Sequence, residues 1–278
     1  MHNLPAWASA LLFAFAVTAL SQPAAAWENG PPNNKVTNTA EDCANPPYST
    51  HDWIAEHALN LLPANERAWL EPHKRLLLIG TEAPDYNKIP LDCGVPNQGY
   101  DDNGKGRHDI RFDGKNPKVK PSDHPAQRAQ DEVALAADAF RDGKYRHAAY
   151  FLGAAIHYIG DLAQYGHTIF GEKHHTDFEL WVGGMTLSYS GGGVFEKFIK
   201  AAPLEPKSAY DAVWDTGAFT YAGVPPVMKS LEIDRRFNPD RPNDPEIVAS
   251  VGTTLNKAVN EAAAMLHDFY VTVVKVGE

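Results

Sequence analysis

Imidazole and carboxylate side chains are concentrated in one stretch of this chain, HYIGDLAQYGHTIFGEKHHTDFE, which runs from His157 to Glu179. His157 and Asp161 are four residues apart, as are His175 and Glu179, and His167 lies between the two pairs. Residues at that spacing on a helix lie on one face, about one turn apart. Because zinc accepts imidazole and carboxylate ligands, the stretch predicts two incomplete metal sites.

The first pair lies in the most apolar helical stretch of the chain. An ionised carboxylate such as that of Asp161 is costly to bury without a partner, and a metal ion would be such a partner. The alternative is a plain hydrogen-bonded His–Asp pair inside a helical bundle, which an isolated pair would favour. A second pair with the same spacing follows closely, and this repetition favours the metal site.

Candidates for the missing ligands lie upstream. His51 begins an amphipathic stretch in STHDWI, Asp85 lies in the turn APDY, and His108 lies in the loop GKGRHDIRF. Each of these alone is more typical of a solvated surface group.

The chain has twelve histidines, so chance pairs are expected. His174 competes with His175, and we prefer His175 because it alone lies four residues before Glu179. The following histidines are assigned to the background: His57, His73, His124, His147 and His267.

The elements that would position these residues are helices, since the sequence shows no strand signal and no internal repeat. The apolar spacing predicts helices over residues 51–62, 66–79 (interrupted at Pro72), 123–141, 145–159, 174–181 and 244–275, with short helices around Phe195 and Ala209. The helix over 145–159 is apolar nearly all round and should be central. Residues 84–124 are rich in Gly, Pro, Asp and Asn, which predicts a long loop of the kind that often carries binding residues.

Composition excludes some partners. The chain has 278 residues, 44% of them hydrophobic, and a net charge of −10. A net negative charge does not attract the polyanion nucleic acid, and it argues against a polybasic patch that binds membranes.

The N-terminal residues are typical of an export signal. An apolar run over residues 8–20 is too short to span a membrane comfortably, and Ala24 and Ala26 fit cleavage after Ala26. The alternative is a retained N-terminal anchor. Export predicts a secreted or periplasmic protein, in which Cys43 and Cys93, the two cysteines of the chain, would form a disulfide; two free buried thiols are the alternative.

The ligand pattern resembles that of bacterial zinc-dependent phospholipase C over about residues 27–182. The shared order is HDWI from His51, loop residues Asp85 and His108, HYxGD from His157, a His six residues on, and HxxxE from His175. Fungal single-strand-specific nucleases share that fold and metal cluster. The resemblance implies an all-α fold, a single-domain helical bundle with long loops over residues 27–278, after a signal peptide over residues 1–26.

The resemblance also implies three zinc ions and their ligands. In that family the mature chain begins with Trp, whose amine and carbonyl bind zinc, so Trp27 fits the predicted cleavage. One zinc would be held by Trp27, His51 and Asp161, a second by Asp85, His108, His157 and the bridging Asp161, and a third by His167, His175 and Glu179. The third site would keep positions open for water and substrate.

The chemistry implied by the resemblance is hydrolysis of a phospholipid or another phosphodiester, with release of diacylglycerol and a phosphorylated head group. Asp85 would also act as general base on the water, and Tyr86 stands where the lipase has an aromatic head-group contact. Lys105 stands where an aromatic would line a choline pocket, which favours an anionic head group or a phosphomonoester. We expect a monomer that touches membrane surfaces transiently.

Three alternatives stay open. A nuclease or another phosphoesterase could use the same metals, but the nuclease pattern has Asp where this chain has Glu179. A hydrolase of the phospholipase D type would cut on the other side of the phosphate. A helical zinc-binding protein without catalysis is the third alternative.

Overall fold

The computed structural model describes residues 48–85, 108–114, 120–186, 193–224 and 227–277. Throughout these ranges the regular elements are helices, without a strand, which confirms the all-α prediction. Several predictions concern residues outside the described ranges and stay predictions. These are the signal peptide over residues 1–26, the disulfide of Cys43 with Cys93, and the roles of Trp27, Tyr86 and Lys105.

Ten α-helices lie in the described ranges, and the longest stretches between them are residues 83–123 and 184–208. In chain order they are α1 (Thr50–Leu61), α2 (Ala64–Arg67), α3 (Lys74–Glu82), α4 (His124–Arg141), α5 (Tyr145–Asp161), α6 (His175–Gly183), α7 (Ala209–Ala222), α8 (Ser230–Arg236), α9 (Pro245–Phe269) and α10 (Lys275–Gly277). Short 3₁₀ turns lie at Glu71–His73, Ala83–Asp85, Tyr165–Thr168 and Glu196–Phe198, and a π-helical turn lies at Tyr270–Val274.

Capping side chains begin two of the long helices. Ser49 accepts a hydrogen bond from the Asp52 amide, and Asp52 accepts one from the Ser49 amide, a reciprocal capping box that begins α1. Asp244 caps α9, and Pro245 takes its first position, where a missing N–H costs no helical hydrogen bond. The predicted break at Pro72 is a 3₁₀ turn between α2 and α3. Helix α8 was not predicted.

Helix α5 forms the centre of the bundle, as predicted. Every residue from Ala148 to Asp161 is buried, and α5 packs mainly against α3 and α4. Gly80 of α3 and Gly153 of α5 allow the first of these contacts, because a Cβ at either position would overlap a carbonyl oxygen of the facing helix. The close approach places the C-terminal end of α3 beside the last two turns of α5.

Helix α9 packs mainly against α1 and α7 and also contacts α5. Along the helix predicted over residues 244–275, apolar side chains at helical spacing are buried, namely Ile247, Val251, Leu255, Val259, Leu266 and Phe269. Val273, in the π-helical turn that follows α9, is half-buried. Among the helices of the described ranges, none has both the length and the apolar character needed to cross a bilayer.

Candidate metal centre

Asp161, the last residue of α5, lies within reach of three histidines. Its Oδ2 atom is 2.7 Å from Nδ1 of His108 and 3.1 Å from Nε2 of His157, and its Oδ1 atom is 3.4 Å from Nε2 of His51. All four side chains are buried. The structure therefore brings His51 close to Asp161, although the two residues are more than one hundred positions apart in the sequence.

The helices fix the imidazoles in this cluster. His51 lies in the first turn of α1, and its ring stacks on that of His157 with centroids 4.2 Å apart. His157 donates from Nδ1 to the Thr81 carbonyl of α3 at 2.7 Å. That hydrogen bond fixes the tautomer and leaves the Nε2 lone pair facing Asp161.

Asp85 completes this cluster from the 3₁₀ turn after α3. Its Oδ1 atom is 3.7 Å from Nε2 of His157 and 3.8 Å from Nε2 of His108. Burial raises the pKa of Asp85 above its ordinary value, although His157 and His108 oppose the shift. Burial also acts on Asp161, but there His157 and His108 outweigh it and hold the pKa well below the usual range.

Five side chains thus form two overlapping groups, in which the possible ligand atoms lie within 4.8 Å of one another. One group is His51, His157 and Asp161, and the other is Asp85, His108 and His157. His157 is common to both groups. We call these five residues the inner cluster.

A second cluster lies one element further along the chain. His175 and Glu179 face each other across one turn of α6, with His175 Nε2 2.9 Å from Glu179 Oε1. His167, from the 3₁₀ turn after α5, places its Nε2 atom 3.6 Å from the same oxygen. The three atoms lie within 4.8 Å of one another, and we call His167, His175 and Glu179 the outer cluster.

Polar neighbours that the sequence reasoning missed orient the outer cluster. Nδ1 of His167 lies 2.7 Å from Asp109 Oδ1, and Nδ1 of His175 lies 3.1 Å from Glu172 Oε1. Gln164 donates to Glu179 Oε1 at 3.1 Å. In the sequence only their closeness to candidate ligands pointed to two of these residues: Asp109 follows His108 directly, and Glu172 precedes His175 by three residues.

The remaining histidines described by the structure lie apart from both clusters. The ring of His174 packs against Phe237, with centroids 5.8 Å apart, so the geometry favours His175 as the ligand candidate. His57 packs on Trp53, and His267 hydrogen-bonds to Glu66 at 2.6 Å.

The clusters fit a metal because several buried polar atoms lack a hydrogen-bond partner in the described ranges. They are both ring nitrogens of His51, Oδ1 of Asp161, Nε2 of His167, Nε2 of His175 and Oε2 of Glu179. A buried polar atom left unpaired costs about 1–3 kcal/mol. These atoms converge within the clusters, so one bound ion could satisfy several of them at once.

The spacing and chemistry of the donors suit zinc. Two atoms that each lie about 2.1 Å from a tetrahedral zinc are themselves roughly 3.4 Å apart. The nitrogen–oxygen separations to Asp161, Asp85 and Glu179 run from 2.7 to 3.8 Å. His175 Nε2 and Glu179 Oε1 are close without hydrogen-bond geometry, which is expected of two atoms that aim at a third point.

Comparisons with known proteins identify a family and similar folds. A family model described as zinc dependent phospholipase C matches residues 50–263. Crystal structures of alpha-toxin from an avian strain of Clostridium perfringens (TM-score 0.51) and of alpha toxin from Clostridium absonum (TM-score 0.52) are similar in fold, each 17% identical. A comparison with curated proteins gave no match.

Both alignments cover 81% of this chain, and they cover 64% and 63% of the two toxins, so the chain spans slightly less than two thirds of their length. The family match continues beyond residue 182, where the resemblance seen in the sequence ended.

Proposed function

The chain belongs to the zinc-dependent phospholipase C family, and from this we propose that it is an exported phosphodiesterase that hydrolyses phospholipid head groups with three zinc ions. The observation that supports the proposal best is the convergence of unpaired donor atoms in the outer cluster, beside an inner cluster built on Asp161. Eight buried or nearly buried His, Asp and Glu side chains in two adjacent groups are more than a structural ion pair requires.

The proposed ligands follow the two clusters. The inner cluster would hold two zinc ions, with Asp161 as the bridge and Trp27, once freed by cleavage, as a further ligand. The outer cluster would hold the third. Zinc in such sites supplies a nucleophile at neutral pH and neutralises charge on the phosphate oxygens.

Asp85 is the proposed general base. Burial raises the pKa of Asp85, which makes it a stronger base toward water than an ordinary carboxylate. The water oxygen forms a bond to phosphorus while the bond from phosphorus to the glycerol oxygen breaks. The glycerol oxygen then takes a proton, and diacylglycerol and the phosphorylated head group leave.

The outer cluster is the proposed substrate end of the centre. It offers three protein ligands, and His175 is its least buried member, with 12% of the side chain exposed. A zinc with three protein ligands retains a position for water or a phosphate oxygen. The net charge of −10 and Glu179 support a phospholipid rather than a nucleic-acid substrate.

The proposal is tested with protein that begins at Trp27. Release of product is measured from phosphatidylcholine, phosphatidylinositol and single-stranded DNA, with and without a chelator, and again after zinc is restored. We expect chelator-sensitive cleavage of phospholipid, with phosphatidylinositol the better lipid if Lys105 contacts the head group.

Two variants accompany the assay. Asp161→Asn removes the shared carboxylate and should abolish activity with a loss of about two zinc ions. The control His267→Gln alters a histidine that pairs with Glu66 outside both clusters, and should keep zinc and activity. Chelator-sensitive cleavage of DNA alone would establish the nuclease alternative. Zinc binding without hydrolysis of any substrate would establish the non-catalytic one.

A further inference from the structure

Arg111 contacts both carboxylates that orient the histidines of the outer cluster. Its Nη2 atom lies 2.7 Å from Oδ2 of Asp109, and its Nη1 atom lies 3.6 Å from Oε2 of Glu172. Asp109 accepts from Nδ1 of His167, and Glu172 accepts from Nδ1 of His175. The Arg111 guanidinium thus contacts two carboxylates, and each of these carboxylates contacts one imidazole of the outer cluster.

The contacts of these carboxylates fix where the imidazoles point. With Nδ1 donating to a carboxylate, each ring turns its Nε2 atom toward Glu179. Carboxylate partners of this kind set both the tautomer and the orientation of a ligating histidine. Since both carboxylates contact Arg111, the orientations of His167 and His175 depend on the same group.

Arg111 also fixes the backbone that carries His167. Its Nη1 atom donates to the carbonyls of Gly166 and Ile169, on either side of that histidine. Next to it, Ile110 donates from its amide to the His167 carbonyl at 3.0 Å. The segment 108–112 and the turn around His167 are therefore bound together through both side chain and backbone.

The geometry favours arginine over lysine here. The Arg111 side chain is 20% exposed, so these hydrogen bonds are partly shielded from water. A guanidinium has five donors in a planar fork and can serve two carboxylates and two carbonyls together. A lysine ammonium has the charge but only three donors on a flexible stem.

We propose that Arg111 is a positioning residue that holds His167 and His175 ready for zinc and so sets the zinc affinity of the outer cluster. The inference rests on the proposed zinc centre but not on the identity of the substrate. His108 of the inner cluster lies in the same segment, three residues before Arg111.

The test compares Arg111→Gln with Arg128→Gln, a matched control. Arg128 has a similarly half-buried guanidinium, with 28% of the side chain exposed, and pairs with Glu132 within α4. Zinc affinity of the metal-free proteins is measured by competition with a chromophoric chelator. We expect Arg111→Gln to weaken one zinc site by about 10- to 100-fold, as loss of a ligand-orienting contact does, and Arg128→Gln to leave all sites unchanged.

A second readout separates positioning from general destabilisation. Cobalt(II) bound in place of zinc reports ligand geometry through its visible absorption bands. Misplaced imidazoles should shift the bands of Arg111→Gln, whereas partial unfolding would only lower their intensity. Arg111→Lys should recover less than half of the change in log Kd caused by Arg111→Gln, because lysine supplies the charge without the planar set of five donors.

A double-mutant cycle keeps the test valid if Arg111→Gln folds poorly. Glu172→Gln removes a carboxylate that is 17% exposed at the edge of the cluster and should itself weaken one zinc site. Combined with Arg111→Lys, it should cost less than the two changes added. Unchanged affinity and spectra in Arg111→Gln, or additive effects in the cycle, would overturn the proposal. Wild-type protein that binds zinc but hydrolyses nothing would overturn only the proposed function.

Discussion

Gly160 of α5 lies directly against the imidazole of His51. A Cβ built at position 160 would be 2.5 Å from His51 Nδ1, closer than side-chain carbons approach other atoms. The missing side chain lets the first turn of α1 lie on the last turn of α5, so that His51 Nε2 comes 3.4 Å from Asp161. A residue without chemistry of its own thus determines whether the inner cluster can assemble.

Gly160→Ala should therefore displace His51 and impair zinc binding at the inner cluster. We expect loss of about one zinc ion and destabilisation of about 1–3 kcal/mol, the usual range for overpacking a close contact. Zinc content by atomic emission and urea unfolding would measure the two effects. Gly183→Ala is the control, since a Cβ there meets nothing within 4 Å, and it should leave both values unchanged or slightly raise stability.

The two adjacent histidines of the HH pair should behave differently. His175→Ala removes a candidate ligand and should abolish one zinc site and the activity that depends on it. His174→Ala removes a ring that packs on Phe237 and should cost stability by about 1 kcal/mol without loss of zinc. Zinc stoichiometry of the two purified variants decides between them. Equal zinc loss in both would refute the assignment of His175.

The two pairs of ligand candidates at one-turn spacing could be predicted because helical periodicity converts a spacing in the sequence into a spacing on one face of a helix. His157 with Asp161, and His175 with Glu179, needed only the one-turn spacing and an apolar setting. His51, Asp85 and His108 were singled out by the family resemblance, since each alone is more typical of a solvated surface group.

The supporting residues could not be found in that way, because their partners are distant in sequence. Asp109 meets His167, 58 residues away, through a loop whose path no periodicity predicts. In the sequence Arg111 is an ordinary charged loop residue, because its partners Gly166 and Ile169 are 55 and 58 residues away. Helix α8 was missed for a related reason: its seven residues gain stability from tertiary contacts, including the hydrogen bond of Ser230 to Thr168 at 2.7 Å.

Removal of metal should lower the thermal stability of the whole protein. Ligand atoms of His51, Asp161 and Glu179 are buried without a hydrogen bond, so a folded metal-free state leaves their hydrogen-bonding capacity unused. Zinc that binds only the folded state adds about 4 kcal/mol per site when its free concentration is a thousand times Kd. Calorimetry with and without chelator should show a Tm lower by roughly 10 °C or more for the metal-free protein. An unchanged Tm would contradict zinc binding at these clusters.

Zinc uptake at the outer cluster should release protons at neutral pH. In the metal-free protein burial disfavours charge on His175, but Glu179 and Glu172 outweigh it and raise the pKa to about 10. A pKa above the unfolded value of about 6.5 means that the protonated imidazole stabilises the metal-free fold below pH 6.5, and that this contribution is lost as pH rises through 10. Zinc must displace this proton, so apparent zinc affinity should rise with pH between about 6.5 and 10. Titration calorimetry at pH 7.5 in two buffers of different ionisation enthalpy counts the protons. We expect at least one proton released per zinc at this cluster in wild type and in His174→Ala, and neither zinc uptake nor proton release at this cluster in His175→Ala. Heats that do not depend on the buffer would show that His175 is already neutral and would contradict its pairing with Glu179 and Glu172.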